Sequence, residues 1–548
     1  MATRPARSFP GSAAAPARRR FAIAAAAATL AIAVAQSPAT AQGAAANSEL
    51  IVALSAQISS LDPHFHNLTP NNGLVKHVFD TLIATDEFQN LKPGLAESWR
   101  ATDDTTWEIK LRRGVKWHDG SPFTAEDVIA TFKRVPNVPN SPASFAQFVK
   151  PISSVQATDS HTLVLKTPAA HPLLPRDLTA VHILSKAVAE SARTEDFNSG
   201  KAMIGTGPYK YVDYKAGDRV VLERNEGYWG PKPAWTRLQF RMITNGAARV
   251  AALLSGDVQM IENVPTADMQ RIASNPQLEV KSAVSNRVIY LHMDTGRDKN
   301  SPFVRAKDGK PLEENPLRDV RVRKAISKAI DRNAIVERIM EKQAVPAGQF
   351  LAPQFFGTSK KLGPEKHDPE GARKLLAEAG YPNGFQLTLH SPNNRYINDE
   401  KVAQAVAQFL TRVGIDTKLE TMPANIFFSR GSKLEFSFLL AGWGAESGDT
   451  SSPLRALVGT FDPSKGNGAA NRGRFSNDGL DAMISTALTT IDDTKRGLLL
   501  AAASERAMEL QGIIPLHFEV SAWGMRKGLS YTPRADQYTL AFEVKPAR

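Results

Sequence analysis

The sequence predicts an α/β protein of at least two domains, and three observations predict it. Its 548 residues exceed what one hydrophobic core fills, because chains beyond about 250–300 residues divide. Strand and helix patterns alternate: Arg237 to Ile243, Ala247 to Ser255 and Val258 to Ile261 read strand, helix, strand, and Asp368 to Ala379, Phe385 to His390, Asp399 to Val413 and Ile415 to Glu420 read helix, strand, helix, strand. That order gives parallel strands covered by helices. Finally, 42% hydrophobic and 22% charged residues are the proportions of a globular protein.

The first 41 residues form a separate unit. Arg18-Arg19-Arg20 precede the apolar run Phe21 to Ala35, and Ala39-Thr40-Ala41 supply the small residues a signal peptidase reads. This predicts a leader over residues 1–41, cleaved before Gln42. Export to the periplasm follows, by the Sec or the twin-arginine route. The run is shorter than the ~20 residues a spanning helix needs. No cysteine follows it for a lipid anchor, and the absence of cysteine anywhere rules out disulfides and thiolate metal sites. The leader holds five of the 67 basic residues and no acidic one, so the remainder carries 62 basic against 55 acidic side chains. Without a basic run interleaved with aromatics, that surface points away from nucleic acid.

Taken in order, Glu49 to Ala53 is a short strand ahead of the Ser59–Pro63 turn, and Leu74, Val78 and Leu82 space a helix over Asn72 to Leu82. Leu95 to Trp99 and Thr106 to Leu111 alternate around the Asp103-Asp104 turn as paired strands, and Thr124 caps a helix Ala125 to Arg134. Pro136 to Pro142 is loop, and Ile152 to Leu165 holds two strands around Asp159-Ser160. Gly205-Thr206-Gly207-Pro208-Tyr209 turns into a strand Tyr209 to Tyr214, paired through Gly217-Asp218 with Arg219 to Arg224. It is no phosphate cradle, because Pro208 blocks the helix start and no Walker lysine follows. Val288 to Met293 is a buried strand, followed by a polar insertion Asp294 to Asn315. Asp368 as cap, Pro369 and Gly380 bound one later helix. Phe436 to Leu440 is a strand ending at Gly442, Leu480 to Leu488 and Asp493 to Leu510 are helices, and a return strand starts near Ile514.

Several strings in this chain carry a resemblance. PGLAESW (93–99), TWEIKLRRGVKWHDG (106–120), PFTAEDV (122–128), GTGPY (205–209), NEGYW (225–229) and LRDVRVRKAI (317–326) together resemble the extracytoplasmic solute-binding proteins of ABC importers, in the dipeptide- and oligopeptide-binding branch, solute-binding family five. The resemblance implies a two-lobed periplasmic-binding-protein fold with a central cleft and discontinuous lobes. Lobe one is then 42–287 plus 514–548, with a small subdomain at about 75–200, and lobe two is 288–513. It also implies a ligand closed between hinged lobes and an inner-membrane permease as partner, with the receptor a monomer.

For ligand capture the segment Gly442 to Pro453 stands out, since open α/β sheets bind ligands beyond strand ends. Trp443 offers an apolar wall, and Glu446 and Asp449 offer negative charge. In peptide-binding relatives a tryptophan followed three residues later by aspartate holds the peptide's amino terminus; Trp443 and Glu446 stand at that spacing, with Glu in place of Asp, and Asp449 is the alternative. In the same relatives the opening strand-turn lies at the cleft, which makes His64 to Thr69, with His64, Phe65, His66 and Asn67 foremost, a candidate ligand edge. Arg472 and Arg474 can fork onto a ligand carboxylate, and Trp523 can close the cleft. His64 and His66 lack acidic or cysteine partners at ligand spacing, so no metal and no cofactor is expected. His118 beside Asp119 reads as a structural histidine. No GxSxG, HExxH, SxxK or P-loop occurs. The expectation is therefore a non-enzymatic receptor for a short peptide or similar amine-bearing solute. A periplasmic hydrolase or peptidase on the same scaffold is the alternative, and a chaperone for unfolded segments is a third.

Overall fold

A computed structural model describes residues 48–547. The expected leader, residues 1–41, lies outside the described residues. The centre is one twelve-stranded mixed sheet. From one edge its strands run Val304–Arg305, Gln386–Pro392, Phe438–Gly444, Leu278–Met293, Ile514–Arg526, Met260–Glu262, Glu49–Leu54, Arg237–Met242, Arg219–Arg224 and Tyr209–Lys215, with Ala344–Pro346 and Asp416–Met422 paired off this path. The fold is the two-lobed α/β architecture expected from sequence, and its buried apolar residues fall into several clusters. One apolar cluster joins Leu50, Phe79, Leu222 and Phe240 to Trp523 and Met525 from the tail. Two others, around Leu291, Ile326 and Leu389 and around Leu439, Leu480 and Leu500, gather residues from the later half.

The smaller four-stranded sheet consists of Ala96–Asp103, Thr106–Leu111, Thr162–Lys166 and Ser154–Asp159. Trp107, Ile109, Leu111, Phe123 and Val128 form a separate core on it. The helix Ala125–Arg134 begins where Thr124 predicts, though the capping carboxylate comes from inside the helix: Asp127 accepts the Thr124 amide at 2.8 Å and the Lys186 amide at 2.7 Å. Asp368 caps Pro369–Glu378 by accepting the Gly371 amide at 2.8 Å. His118 is structural, its ring bonded to the Gly207 carbonyl at 3.0 Å and the Gly205 amide at 3.2 Å.

Three expectations differ from the structure. The helix over Asn72 to Leu82 is shorter, Thr69–Val75. Its continuation is pre-empted because the His77 and Val78 carbonyls accept the Tyr209 and Gly207 amides at 2.9 Å. Leu74, Val78 and Leu82 are all buried, so the apolar spacing reported burial rather than helix length. The strand at Val288 to Met293 extends back to Leu278, sixteen residues in all, with its register shifted between Val284 and Val288. Polar Ser282, Ser285 and Asn286 hid that length from pattern reading. Arg237–Met242 and Met260–Glu262 are parallel but not neighbours, since Glu49–Leu54 inserts between them and pairs with both.

The GTGPY turn is a point of close backbone approach. A Cβ on Gly205 would meet the Val78 carbonyl oxygen at 1.7 Å, and one on Gly207 the Val78 carbonyl carbon at 2.6 Å. Backbone cannot yield as a side-chain tip can. Gly205→Ala is expected to cost about 3 kcal/mol or more, read as a lowered midpoint of urea unfolding, whereas Ala at the open Gly363 leaves the midpoint within about 0.5 kcal/mol of the parent.

Candidate functional site

Two adjoining cavities, of about 560 and 330 Å³, lie where the strand ends meet the N-terminal segment and the tail. Their sizes match small-ligand sites. Leu68, Thr69, Arg287, Arg395, Tyr396 and Tyr538 are among the residues that line both. Glu262, Ile397, Glu519 and Thr539 belong to the larger, and Asn67, Gln89, Trp443 and Glu446 to the smaller.

The loop after Phe438–Gly444 is held from several sides. Asn286, buried in the register shift, donates to the Ala445 carbonyl and to Gln89 Oε1, both at 3.0 Å, and its carbonyl accepts the Ala445 amide at 3.0 Å. Gln89 Nε2 donates to the Glu446 carbonyl at 2.7 Å, and Arg176 Nη1 to the Ser447 carbonyl at 2.7 Å. The Glu446 backbone is thereby fixed while its side chain stays exposed to the cleft. Walls of protein around that open side chain push its carboxyl pKa up by desolvation, against the opposing pull of Arg287 and a hydrogen bond from Asn67. Trp443 is half-buried along the same wall, with Nε1 donating to Ser452 Oγ at 3.2 Å.

Other candidates sit elsewhere. Asp449 is fully buried, with Oδ2 at 2.6 Å from Arg496 Nη1 and 3.3 Å from Arg176 Nε, while Oδ1 accepts the Ser451 amide at 2.7 Å. Both guanidinium groups stack on Phe356, at 4.5 and 5.2 Å. Its carboxylate is spent on the fold, which corrects the expectation that it could take over from Glu446. His64 is also fully buried, ring-bonded to the His182 carbonyl at 2.8 Å and facing Arg134 at 2.9 Å; burial lowers its pKa to about 4. Phe65 and His66 line neither cleft cavity, and His66 bonds Ser59 Oγ at 2.8 Å. The chain reaches the cleft from Asn67 onward, with Leu68 and Thr69 lining both cavities. Arg472 stacks behind Phe428 at 5.3 Å, and Arg474 lies 3.7 Å over Phe461 and donates to the Asn471 carbonyl, so neither arginine reaches the cleft. Trp523 is buried one layer behind it, donating to Thr539 Oγ1 at 2.9 Å.

Sequence reasoning missed the cationic side of the cleft. Arg287 is tied to Glu519 at 3.3 Å and to Gln537 at 3.2 Å. Arg395 is exposed, 5.3 Å from the Tyr396 ring, with no carboxylate in ion-pair contact among the described residues. A signal existed: Asn393 to Tyr396 follow the strand Gln386–Pro392, and the same strand-end rule that selected Gly442 to Pro453 applies there.

A family model for bacterial extracellular solute-binding proteins, family 5 Middle, matches residues 90–465. Glutathione-binding protein GsiB of Escherichia coli K12 is 29% identical over 500 residues, covering 87% of this chain and 90% of the relative. Among solved structures, the ABC transporter-associated periplasmic binding protein DppA from Helicobacter pylori, in complex with peptide STSA, aligns with TM-score 0.73 at 23% identity, over 92% of this chain and 98% of that one. HbpA2 from Haemophilus parasuis aligns with TM-score 0.78 at 22% identity, over 91% and 100%. These two likenesses show the fold.

The two acidic residues of the loop are expected to separate by experiment. Asp449→Asn strips a buried carboxylate from between two buried arginines and is expected to cost about 3–5 kcal/mol in unfolding. Glu446→Ala removes a charge that the surrounding cleft walls already disfavour, and the thermal midpoint of the empty protein is expected not to fall.

Proposed function

The chain belongs to the bacterial extracellular solute-binding proteins of family 5, receptors that deliver solutes to ABC importer permeases, and from that premise we propose that its cargo is a short peptide or similar amine-bearing solute. The observation that carries this reading is the polarity of the cleft. Glu446 with its carboxylate and Arg395 with a guanidinium outside any ion pair among the described residues line the same cavity. A cargo with an ammonium at one end and a carboxylate at the other meets both by charge-assisted hydrogen bonds. The named relative binds glutathione and the DppA structure holds a peptide, and both cargoes have those ends. The curated relatives are binding proteins, which favours capture over hydrolysis. Asn67, Trp443, Arg287, Tyr396 and Tyr538 form the walls in this reading.

Capture proceeds by lobe closure. We place lobe one at 42–287 plus the tail and lobe two between, with the small four-stranded sheet as a subdomain of lobe one. The register shift at Val284–Val288 favours the first crossing near Arg287. Ile514, Leu516 and Phe518 join the clusters of the later half, which favours a return near Glu519 rather than 514. Cargo that touches both lobes only when they are closed shifts the population toward the closed form. The protein acts as an exported monomer in the periplasm, after removal of the leader before Gln42, and without nucleic acid.

Native mass spectrometry of the purified protein tests the class: a bound small mass with a free amine fits, and a cleft that stays empty and gains no thermal stability from any peptide library contradicts the reading. Glu446→Ala is expected to weaken an amine-bearing cargo by about 10–100-fold, the worth of a hydrogen bond to a charged group. The raised Glu446 pKa sets the sign with pH. The carboxyl takes up a proton as pH falls through a value above the usual 4.5, so calorimetric affinity is expected to drop on acidification at higher pH than free glutamate titrates, and to lose that dependence in Glu446→Gln.

A further inference from the structure

Below Glu446 the cleft has an annex. A pocket of about 50 Å³ is lined by Lys76, Gln89, Arg176, Asp177, Glu446 and Tyr538, among others; Glu446 and Tyr538 also line the 330 Å³ cavity, so the pocket opens from its floor. A water needs about 10–15 Å³ of such volume, so the annex holds a group of a few heavy atoms and excludes an aromatic ring.

Lys76, at the C-terminal cap of Thr69–Val75, is the unmatched group in it. Its ammonium faces the Tyr538 ring at 5.6 Å and has no carboxylate in ion-pair contact among the described residues. Nearby acids are occupied: Asp536 and Glu543 pair with Arg534 at 2.7 and 2.8 Å, and Asp80 accepts from Trp229 at 2.8 Å and Thr206 at 2.9 Å. The other pocket ions are engaged too, Arg176 with Ser447 and Asp449, and Asp177 with His171 at 2.7 Å. A half-buried ammonium without a partner is costly unless something supplies one.

We propose that the annex is a subsite for a carboxylate carried on the same end of the cargo as its amine, with Lys76 binding the carboxylate while Glu446 holds the amine. This rests on the reading of Glu446 given above and narrows the cargo to solutes whose amine-bearing end is zwitterionic, such as a γ-linked glutamyl group or an acidic first residue. An ordinary neutral dipeptide leaves Lys76 unpaired.

Calorimetry with three probes tests it: γ-glutamylglycine, 4-aminobutyrylglycine, which lacks only the α-carboxylate, and α-glutamylglycine. The expected result is at least tenfold tighter binding of γ-glutamylglycine than of 4-aminobutyrylglycine, and loss of that preference in Lys76→Met or Lys76→Gln with the 4-aminobutyryl affinity unchanged. If α-glutamylglycine shares the preference, a side-chain carboxylate also reaches the annex; if not, the carboxylate must share the amine's carbon. The parent protein gives a reading even where a variant fails to fold. Burial lowers the Lys76 pKa to about 8, against the pull of Asp536, Asp80 and Glu543 and with Arg534 adding to it, while Glu446, Asp177, Asp536 and Arg176 face the same pocket. The preference is therefore expected to shrink as pH rises past 8. Equal affinities in the parent, or a preference that survives in a folded Lys76 variant, overturn the subsite while leaving Glu446 in place. Should Glu446→Gln bind all three probes as the parent does, the amine reading fails and the subsite with it.

Discussion

Asn286 is the point on which the cleft depends. It sits in the register shift of the sixteen-residue strand, 4% exposed, and its amide, carbonyl and side chain bond the tail at Ala535, the turn at Gln89 and the loop at Ala445. A bulge frees backbone groups from the ladder, and here the Asn286 amide and carbonyl bond Ala535 and Ala445 while its side-chain amide donates to Gln89 and Ala445, segments far from it in sequence. The next residue, Arg287, faces the cavity, and its ion pair reaches Glu519 on the paired strand. Departure from ladder register and presentation of a charge to the cleft thus come from one feature of one strand.

The loop Ala445 to Asp449 divides its two carboxylates between unlike tasks. Asp449 sits between Arg176 and Arg496, which neutralise it where water cannot; such a pair is strongly destabilised when one partner is lost. Glu446, three residues earlier, has its backbone held by Gln89 and its carboxylate left in the cleft. The cost of holding a charge there is visible in its raised pKa. A fixed backbone under a poorly solvated carboxylate is an arrangement whose reorganisation is complete in the empty protein.

Most of the fold was legible because its signals are local. Alternation, caps and glycine punctuation placed Thr106–Leu111, Ala125–Arg134 and Arg219–Arg224 to the residue. What stayed hidden was set by partners far along the chain. The helix after Thr69 does not run on because Gly207 and Tyr209 claim the carbonyls of Val78 and His77 just past it, and the insertion of Glu49–Leu54 between two later strands leaves no trace in either. The site divided in the same way. The strand-end rule found Trp443 and Glu446, but residue type cannot tell a carboxylate in the cleft from one sandwiched by arginines, so Asp449 looked equivalent. His64 was misplaced for a related reason: its burial comes from Arg134 and His182, neither near it in sequence.

The stretch Leu91 to Phe132, which carries most of the family resemblance, gains a role from this geometry. Its strands and helix line no part of the two cleft cavities, and they build the small sheet whose core includes Leu95, Trp107 and Phe132. Leu174 and Leu178, which flank Arg176, belong to that same core, and Gln89 lies two residues before the strand Leu91–Pro93. Those two side chains are the ones that hold the Ser447 and Glu446 carbonyls. The small sheet therefore bears on the cavity wall from a distance: its packing sets where Arg176 and Gln89 stand, and they hold the backbone of the Glu446 loop. A substitution deep in that core that shifts either side chain by an ångström moves a charge in the cleft by a comparable amount, since hydrogen bonds of 2.7 Å leave little slack.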